Sequence, residues 1–460
     1  MTLIKSISGI RGTIGGKVSH NLTPIDVVRF TSAYAQWLFD QHSEKLIVVT
    51  GRDARISGEM IHQLVNQTLI GMGIDVIDLG LSTTPTVAMA VPWEHAHGGI
   101  ILTASHNPKQ WNALKLLNEK GEFINADAGA QVLSFAENES FQYAQVDDLG
   151  ILRTNSNAIE KHIEAILALD TVAVEDIKKQ KFKVVVDAVN SSGGIAIPML
   201  LEALNSEVIK IHCEPNGHFP HNPEPLKEHL TDLCAAVKKH RADFGIAVDP
   251  DVDRLVFVDE TGALFGEEYT LVACADYILS KIPGASTVSN LSSTRALADI
   301  TQKHSGHYFA SAVGEVNVVN EMKRNNAAIG GEGNGGVIYP SLHYGRDALV
   351  GVGLFLSLIV ERKQKVSELK ASYPLYFMSK NKISLDEKRD VDNMLAIVAK
   401  RYEKENISKI DGVKIDFDEK WVHLRKSNTE PIIRIYTEAK TQKVADELAQ
   451  FFVNELENLV

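Results

Sequence analysis

The strongest constraint on the fold is a strand–loop–helix–strand pattern that occurs three times along the chain. The first copy has an apolar run at 45–50, a helical pattern over 58–71 and a second apolar run at 75–79. A strand, a helix and a returning strand predict a parallel pair joined by a right-handed crossover. The pattern returns at 183–212 and at 244–308. The sequence therefore predicts three similar α/β sheet domains.

The region from residue 372 onwards follows a different pattern. Short strand-like runs flank residues 418–419 and another covers 432–437, whereas helical patterns occupy 391–405 and 442–457. Strands in immediate succession indicate a smaller antiparallel α+β domain at the C-terminus. We expect four domains with the limits 1–153, 154–256, 257–371 and 372–460.

Composition narrows the classes of partner. The 460 residues carry a formal charge of −12, which disfavours nucleic acid or an anionic membrane as the main partner. Local basic patches could still bind a small phosphorylated ligand. The start of the chain lacks a leader pattern, and no run approaches the roughly 20 apolar residues of a membrane span. We expect a cytoplasmic protein.

A buried strand followed by a polar loop forms the first candidate site. The apolar run 99–102 ends in Thr-Ala-Ser-His-Asn-Pro at 103–108. This pattern predicts a strand that stops at a loop, with Ser105 at its carboxyl end, where α/β sheets collect ligands. Lys115 follows ten residues later, close enough to return to the same cleft. The alternative is an ordinary Ser-Asn-Pro turn.

Three alternating carboxylates form the second candidate site. Asp249, Asp251 and Asp253 lie in a loop between two apolar runs. Alternation points the three side chains the same way, and their combined charge calls for a cation. Oxygen ligands favour Mg²⁺ over Mn²⁺ or Ca²⁺ and disfavour zinc. An EF-hand loop fits poorly, because Pro250 occupies its second position and Arg254 replaces its sixth-position glycine. A solvated acidic turn is the other alternative.

Two further polar loops offer groups that suit a sugar phosphate. Gly331–Gly336 contains Glu332 among four glycines and lacks the spacing of a Walker or dinucleotide motif, so a flexible turn is its alternative. Downstream, guanidinium, hydroxyl and amide groups occur around one turn, as a phosphate dianion requires. They belong to Arg425, Ser427, Asn428, Thr429 and Arg434. A surface loop with ion-pairing arginines is the alternative there.

Together these motifs resemble those of the α-D-phosphohexomutase superfamily, in the same order and over essentially the full chain. The superfamily has a serine loop T-A-S-H-N-P followed by Asn and Lys at the spacing of Asn112 and Lys115. It also has a metal loop D-x-D-x-D-R, a sugar loop beginning G-E and a phosphate loop R-x-S-N-T-E-P. An early Gly-Ile-Arg-Gly turn, here at 9–12, is shared as well. The resemblance implies four domains around a central cleft.

The resemblance also implies roles for individual residues. Catalytic roles fall to Ser105, Lys115, Arg11 and His106. The ligands of Mg²⁺ would be Ser105, Asp249, Asp251 and Asp253. Substrate-binding roles fall to Arg254, Glu332, Asn334, Arg425, Ser427, Asn428, Thr429 and Arg434. A lysine near a cation is expected to have a lowered pKa, which would suit Lys115 for general acid/base catalysis. Glu315 stands at a position that varies within the superfamily.

The implied activity is that of a phosphosugar mutase. Such an enzyme carries a phosphoserine and interconverts hexose 6-phosphate and hexose 1-phosphate through a 1,6-bisphosphate. Loops 313–317 and 331–336 look most like the phosphoglucosamine mutase branch, which favours glucosamine 6-phosphate as substrate. Asn334 and Gly336 stand where Ser and His are frequent in relatives, so phosphoglucomutase or phosphomannomutase activity is the alternative. A sugar-phosphate sensor without turnover is a further alternative. We expect a hexose phosphate as partner and a monomer or homodimer.

Overall fold

The computed structural model describes residues 2–6, 9–384, 390–426 and 432–459, which form four sheets in succession along the chain. The first sheet has seven strands: β1 (Ile4–Ser6), β2 (Gly9–Thr13), β3 (Ile47–Arg52), β4 (Asp75–Leu81), β5 (Gly98–Leu102), β6 (Trp111–Leu117) and β7 (Leu152–Thr154). Its helices are α1 (Pro24–Gln41), α2 (Gly58–Gly71), α3 (Thr84–Trp93) and α4 (Ala126–Asn138).

This first sheet is mixed, with the strand order β1-β2-β6-β5-β3-β4-β7. The parallel pairing predicted for the first strand–helix–strand unit is confirmed by the register of β3 and β4. β6 is antiparallel to both β5 and β2. All five residues of β5 are buried, as their apolar character predicts. The end of β5 carries the serine loop, and β6 returns the chain beside it.

The second sheet contains four strands in the order β11-β10-β8-β9. Its elements are α5 (Ala158–Leu167), α6 (Val174–Gln180), β8 (Lys183–Asp187), α7 (Gly193–Ala203), β9 (Glu207–Ile211), α8 (Thr231–His240), β10 (Phe244–Val248) and β11 (Leu255–Asp259). β10 pairs in parallel with β8, whereas β11 returns antiparallel to β10. The three aspartates of the second candidate site therefore lie in the connection of a hairpin.

The third sheet repeats this plan in the order β13-β12-β14-β15, with β15 antiparallel to β14. Its elements are α9 (Glu267–Lys281), β12 (Thr287–Asn290), α10 (Ala296–Lys303), β13 (Tyr308–Ser311), α11 (Glu315–Arg324), β14 (Ile329–Glu332), β15 (Gly336–Ile338), α12 (Ala348–Arg362) and α13 (Val366–Ala371). The glycine-rich loop lies in the β14–β15 turn.

The fourth sheet is antiparallel throughout, in the order β16-β20-β19-β18-β17. Its elements are β16 (Phe377–Ser384), α14 (Val391–Arg401), β17 (Asn406–Ser408), β18 (Val413–Asp416), β19 (Lys420–Lys426), β20 (Ile432–Ala439) and α15 (Gln442–Glu457). The helix predicted over 391–405 ends earlier, at Arg401, because the chain turns there into β17. The predicted class, three α/β domains and an antiparallel α+β domain, is confirmed.

The apolar cores do not follow the four sheets one by one. A single cluster of buried side chains runs from Ile159 to Tyr373 and includes residues of both the second and the third sheet. Phe257 from β11 stacks on Phe355 from α12, with 3.7 Å between the ring centroids. The first and fourth sheets have separate cores. The loop of the three aspartates and the glycine-rich loop therefore both extend from one common core.

Candidate active site

The predicted serine loop lies at the carboxyl end of β5. Ser105 is buried, with 8% of its surface exposed, and its backbone lies in the left-handed region with a φ of 47°. Its Oγ donates to Asp249 Oδ2 over 2.7 Å, and its N–H donates to Thr103 Oγ1. The first and second sheets thus bring Ser105 and the aspartate loop together, although 144 residues separate them.

A buried arginine that the sequence analysis did not single out holds the serine loop. The Arg55 side chain donates to the backbone carbonyl oxygens of four loop residues: Ser105, Asn107, Pro108 and Trp111. Its Nε pairs with Asp53 Oδ2 over 3.0 Å, and that same oxygen accepts from Thr103. A planar guanidinium group can reach several acceptors at once, so this pair fixes the path of the loop.

The three aspartates converge, but by a different route from the predicted alternation along an extended chain. They lie in a turn whose residue Val252 has a φ of 64°. All three are fully buried, and one carboxylate oxygen of each lies within 4.8 Å of the others. The hydroxyl groups of Ser191 and Ser192 hold the turn by donating to the Pro250 carbonyl.

The donor set of this turn fits a divalent cation. Burial and the carboxylates of Asp253 and Asp251 raise the pKa of Asp249 well above its ordinary value. Asp251 Oδ1 and Asp253 Oδ1 are buried and accept no hydrogen bond within the described part of the chain. A buried carboxylate oxygen without a donor is costly. A cation bound between the three carboxylates would remove that cost.

Lys115 reaches the same turn from β6. Its Nζ lies 2.7 Å from Asp251 Oδ2 and 3.6 Å from Asp253 Oδ2. Burial alone would lower the pKa of Lys115, but the attraction of the two carboxylates outweighs it and raises the pKa. The sequence analysis did not consider these two adjacent anions, which raise the pKa of Lys115 when no cation is bound. The lowered pKa expected beside a bound cation stays a prediction. Thr84, also missed, donates to Asp251 Oδ2 over 2.5 Å.

Arg254 and His106 lie together beside Ser105. Arg254 Nη2 donates to His106 Nδ1 over 2.7 Å, and Nη1 pairs with Glu224 at 3.2 Å. Burial, followed by the charges of Arg254 and Arg11, keeps the pKa of His106 well below its ordinary value. His106 Nδ1 lies 3.4 Å from Ser105 Oγ, but its lone pair already accepts from Arg254.

A second positive charge comes from Arg11 on β2. Burial lowers the pKa of Arg11, and the positive charges of Arg254 and Arg346 lower it further. The charges of Arg254, Arg11 and Arg346 all act on one region, around His106, which follows Ser105 in the chain. Such a region favours the binding of a phosphoryl group.

Arg346 links the loop of the three aspartates to the sugar loop and was also missed. Its guanidinium contacts three carboxylates: Asp253 at 2.6 Å, Glu332 at 2.8 Å and Glu315 at 2.8 Å. These residues come from three separate stretches of sequence. The variable position Glu315 is thus a structural partner of Arg346 in this chain.

The sugar loop is closely packed around Glu332. Glu332 Oε1 accepts from Asn290 and from the N–H of Gly314, while Oε2 accepts from Arg346. Asn334 Nδ2 lies 3.4 Å from Oε2, and its Oδ1 accepts the N–H of Gly336. Asn334 therefore shapes the turn as well as facing Glu332.

Gly335 of this loop is required by its surroundings, and Gly333 lies against the side chain of Glu268. Gly335 has a φ of 89°, and a Cβ there would lie 2.5 Å from the Leu255 carbonyl oxygen. A Cβ on Gly333 would lie 1.9 Å from Glu268 Oε2. Burial raises the pKa of Glu268 to about 8, against the opposing charge of Lys380. The loop thus passes directly over a carboxyl group.

The fourth domain supplies the remaining predicted residues. Arg425 on β19 and Arg434 on β20 are direct partners across the antiparallel pair. Arg425 also pairs with Asp411, which accepts the N–H of Val313 from the third domain. Like charges facing each other across a sheet are unfavourable, so an anion between them would stabilise the pair. Ser427, Asn428 and Thr429 lie outside the described residues.

The structure thus brings most of the predicted residues into one connected network. Ser105, Lys115 and Arg254 each contact the aspartate turn, and His106 contacts Arg254. Arg346 extends the network from Asp253 to Glu332. Arg425 and Arg434 stand apart in the fourth sheet and approach the third domain through Asp411. Arginine side chains are therefore grouped in two places, one beside the serine and the other at the facing Arg425 and Arg434.

Four domains of this kind, with a serine beside an aspartate turn and two separate groups of arginine, are the features expected of phosphohexomutases, which are isomerases. Comparisons with known proteins agree. The models of Phosphoglucomutase/phosphomannomutase, alpha/beta/alpha domains I, II and III, match residues 3–143, 160–262 and 266–376, and that of the C-terminal domain matches 381–455. The chain therefore belongs to the phosphoglucomutase/phosphomannomutase family.

Individual relatives cover almost the whole chain. A phosphoglucomutase/phosphomannomutase of Thermococcus kodakarensis is 37% identical over 97% of this chain and 98% of its own. A phosphoglucosamine/phosphogalactosamine mutase of Sulfurisphaera tokodaii is 31% identical over 98% of both chains. The crystal structure of a phosphoglucomutase/phosphomannomutase family protein from Burkholderia thailandensis has a TM-score of 0.85 at 24% identity, over 99% of this chain and 98% of that one. That likeness shows the shared fold.

None of the helices in the described ranges combines the length and apolar character needed to cross a membrane.

Proposed function

We propose that this enzyme interconverts hexose 6-phosphate and hexose 1-phosphate through a phosphoserine at Ser105 and a 1,6-bisphosphate intermediate. The observation that carries the proposal is the presence of two separate groups of arginine, each of which we propose binds a phosphate. One surrounds Ser105 with Asp249 and Arg254, and the other consists of the facing Arg425 and Arg434. An enzyme that only adds or removes a phosphate needs one such group, whereas a mutase must hold one phosphate while it exchanges another.

The chemistry balances as two phosphoryl transfers. In the first, the bond between phosphorus and Ser105 Oγ breaks, phosphorus bonds to the free sugar hydroxyl oxygen, and the proton of that hydroxyl passes through the general acid/base to Ser105 Oγ. The bisphosphate then reverses its orientation in the cleft. In the second transfer, the bond between the other phosphorus and its sugar oxygen breaks, phosphorus bonds to Ser105 Oγ, and the serine proton passes through the same general acid/base to the sugar oxygen. Catalysis of this kind depends mainly on positioning and on stabilising negative charge.

The network around Ser105 suggests a role for each partner. We assign Lys115 to the proton that Ser105 Oγ takes up, because its ammonium group reaches the same aspartate turn. Arg254 and Arg11 stabilise the charge of the transferring phosphoryl group. His106 holds Arg254 in place through Nδ1, and Arg55 holds the loop that carries Ser105.

Mg²⁺ is the cation that we assign to Asp249, Asp251 and Asp253, with an oxygen at Ser105 as a further ligand. Carboxylate oxygens without nitrogen or sulfur donors suit a hard cation, and open positions suit a phosphate oxygen. When bound, it would neutralise charge on the phosphoryl oxygens. The assignment rests on the two buried carboxylate oxygens that accept no hydrogen bond in the described chain.

Glucosamine 6-phosphate, converted to glucosamine 1-phosphate, is our proposed substrate pair. The proposal rests on loops 313–317 and 331–336 and on the Sulfurisphaera relative, which is named a phosphoglucosamine/phosphogalactosamine mutase. Glu332 would contact sugar hydroxyls, assisted by Asn334. The alternative, glucose or mannose phosphate, is favoured by the name of the Thermococcus relative. We further propose cytoplasmic action as a monomer or homodimer, and domain limits at 153, 256 and 371.

The decisive experiment compares forward and reverse turnover in Arg434→Ala with that in Arg401→Ala. Arg401 is a matched control, because it pairs with Glu455 between α14 and α15 of the same domain. Loss of a charge-assisted bond to phosphate costs about 1.5–3 kcal/mol, or roughly ten- to a hundredfold in kcat/KM. We expect that loss in both directions, with phosphate retained on Ser105 and no loss in the control.

Unchanged kinetics in Arg434→Ala would refute the second phosphate site and with it the mutase mechanism. A sensor would bind the sugar phosphates without turnover in any variant. Comparing kcat/KM for glucosamine, glucose and mannose 6-phosphates identifies the substrate. Faster turnover of glucose or mannose phosphate would move the assignment to the alternative.

A further inference from the structure

A second group of metal-type ligands lies outside the active site, at the ends of β8 and β9. Asp187 ends β8, His212 directly follows β9, and His221 lies in the segment that comes next. Asp187 Oδ2 is 3.1 Å from His212 Nδ1 and 3.1 Å from His221 Nε2. We propose that these three residues, the domain-two histidine cluster, bind a divalent cation of the zinc type.

The spacing of the three ligand atoms matches such a site. Zinc bonds to nitrogen and oxygen are about 2.0–2.1 Å long, so tetrahedral ligands lie about 3.3 Å apart. Both measured distances from Asp187 are close to this value, and all three atoms lie within 4.8 Å of one another. Asp187 is buried, whereas the His212 and His221 side chains are 23% and 16% exposed. An ion therefore has a path from solvent.

The hydrogen bonds of His221 indicate that a positive charge belongs between the ligands. Its Nδ1 lies 2.8 Å from the Asn222 carbonyl oxygen, to which it can only donate. In the neutral ring Nε2 then carries a lone pair, yet it faces both Asp187 oxygens at 3.1 and 3.2 Å. A metal ion or a proton must separate these lone pairs. The second nitrogen of His212 lies 3.7 Å from the exposed Asp232 carboxylate, which is within ion-pair distance but beyond a hydrogen bond.

The two other histidine clusters of the described chain lack this arrangement. His97 Nδ1 accepts the N–H of Ile47, so its Nε2 carries the proton that points at Glu44. That ring has no lone pair left for an ion. In the other cluster His162 is fully buried, and its two ring nitrogens are engaged by Thr86 and Asp347. An ion would find no route from solvent to that ring.

Occupancy of the domain-two histidine cluster has a structural consequence at the active site. The cluster ties His221 to the end of β8, and three residues further along Glu224 contacts Arg254 at 3.2 Å. A cation at Asp187 therefore fixes the segment 212–221 that presents Glu224 to Arg254. This role is independent of the sugar that the enzyme converts.

The test uses Co²⁺ as a spectroscopic probe of the full-length protein, stripped of metal and then supplied with excess Mg²⁺. The variants are His212→Ala, His221→Ala and, as matched control, His218→Ala, an exposed residue of the same segment. We expect wild type and His218→Ala to bind one equivalent of Co²⁺ with tetrahedral visible absorption, which Zn²⁺ displaces. Both cluster variants should bind more than tenfold more weakly, since even outer-shell changes cost 10–100-fold. Asp251→Asn should retain the absorption band.

Hydrogen exchange of residues 212–224 provides the second readout. Zn²⁺ should slow exchange of this segment in wild type and leave it unchanged in His221→Ala. Absence of the Co²⁺ band in folded wild-type protein would overturn the proposal, because then only a proton bridges Asp187 and His221. A band that persists in His221→Ala, or disappears in Asp251→Asn, would place the ion elsewhere and overturn it as well. If His221→Ala fails to fold, His212→Ala provides the same test.

Discussion

Replacing Arg55 by lysine should loosen the serine loop while keeping a positive charge in place. Arg55 is 1% exposed and donates to four backbone carbonyl oxygens, those of Ser105, Asn107, Pro108 and Trp111. It also pairs with Asp53. An ammonium group has three donors on a flexible stem, so it can keep the pair with Asp53 and at most two of the carbonyls. At least two carbonyl oxygens then lose their donor.

The magnitude follows from those lost bonds. A hydrogen bond to a charged group contributes about 1.5–3 kcal/mol, so losing two costs about 3 kcal/mol at the lower end. The lower end applies because Asn107 and Pro108 lie where water can reach them. Since about 1.4 kcal/mol is a factor of ten in an equilibrium constant, local opening of the loop should become roughly a hundredfold more frequent.

Amide hydrogen exchange of residues 103–113 measures this opening directly. We expect roughly a hundredfold faster exchange there in Arg55→Lys, and a fall in kcat, because Ser105 spends less time in position. The matched control is Arg52→Lys, whose partner is the exposed Glu59, so its effect should stay below about 1 kcal/mol. If the loop exchanges at the same rate in the two variants, the bonds from Arg55 do not hold it.

Three further predictions concern the serine, the aspartates and the sugar loop. Ser105→Ala should abolish turnover and the phosphate adduct seen by intact-mass analysis, and retained turnover would contradict the phosphoserine mechanism. Asp251→Asn should weaken Mg²⁺ binding at least about tenfold, or ~1.4 kcal/mol, by calorimetric titration, since one anionic ligand is removed. Burial raises the pKa of Glu268 to about 8, above the pKa of the same group in the unfolded chain. Between these two values only the folded state holds the proton, so the free energy of unfolding falls as pH rises. Glu268→Gln should therefore gain stability relative to wild type by up to about 1.4 kcal/mol per pH unit across this window, which melting curves at pH 5 and pH 8 would test.

The sequence predicted those features that depend on local pattern. The helices over 58–71 and 442–457 have the predicted limits, because each has a clear apolar periodicity with sharp ends. The position of Ser105 at the end of β5 followed from the buried strand that precedes it. The roles of the site residues stay predictions. The resemblance implied that Ser105 and the aspartates share a site, and Ser105 Oγ contacts Asp249 in the structure.

Features that depend on distant partners could not be predicted in this way. Arg346 joins carboxylates from separate loops, and Arg55 supports a loop some fifty residues away in sequence, so neither belongs to a motif. The pKa of Lys115 depends on Asp251, which is 136 residues away. β17 has three residues and therefore too little pattern to detect. The contacts of Arg346 and Arg55 and the pKa of Lys115 depend on tertiary structure, which the local sequence does not encode.

The common core of the second and third domains limits how this enzyme can be rearranged by recombination. Phe257 and Phe355 stack inside it, so exchanging either domain with that of a relative would replace half of a packed interior. The fourth domain has a core of its own and touches the third through polar contacts such as Arg295 to Glu438. Chimeras that swap residues 372–460 should therefore fold, whereas a junction between β11 and α9 should not. The C-terminal domain can therefore be exchanged as a whole between relatives, whereas the sugar loop changes by point substitutions.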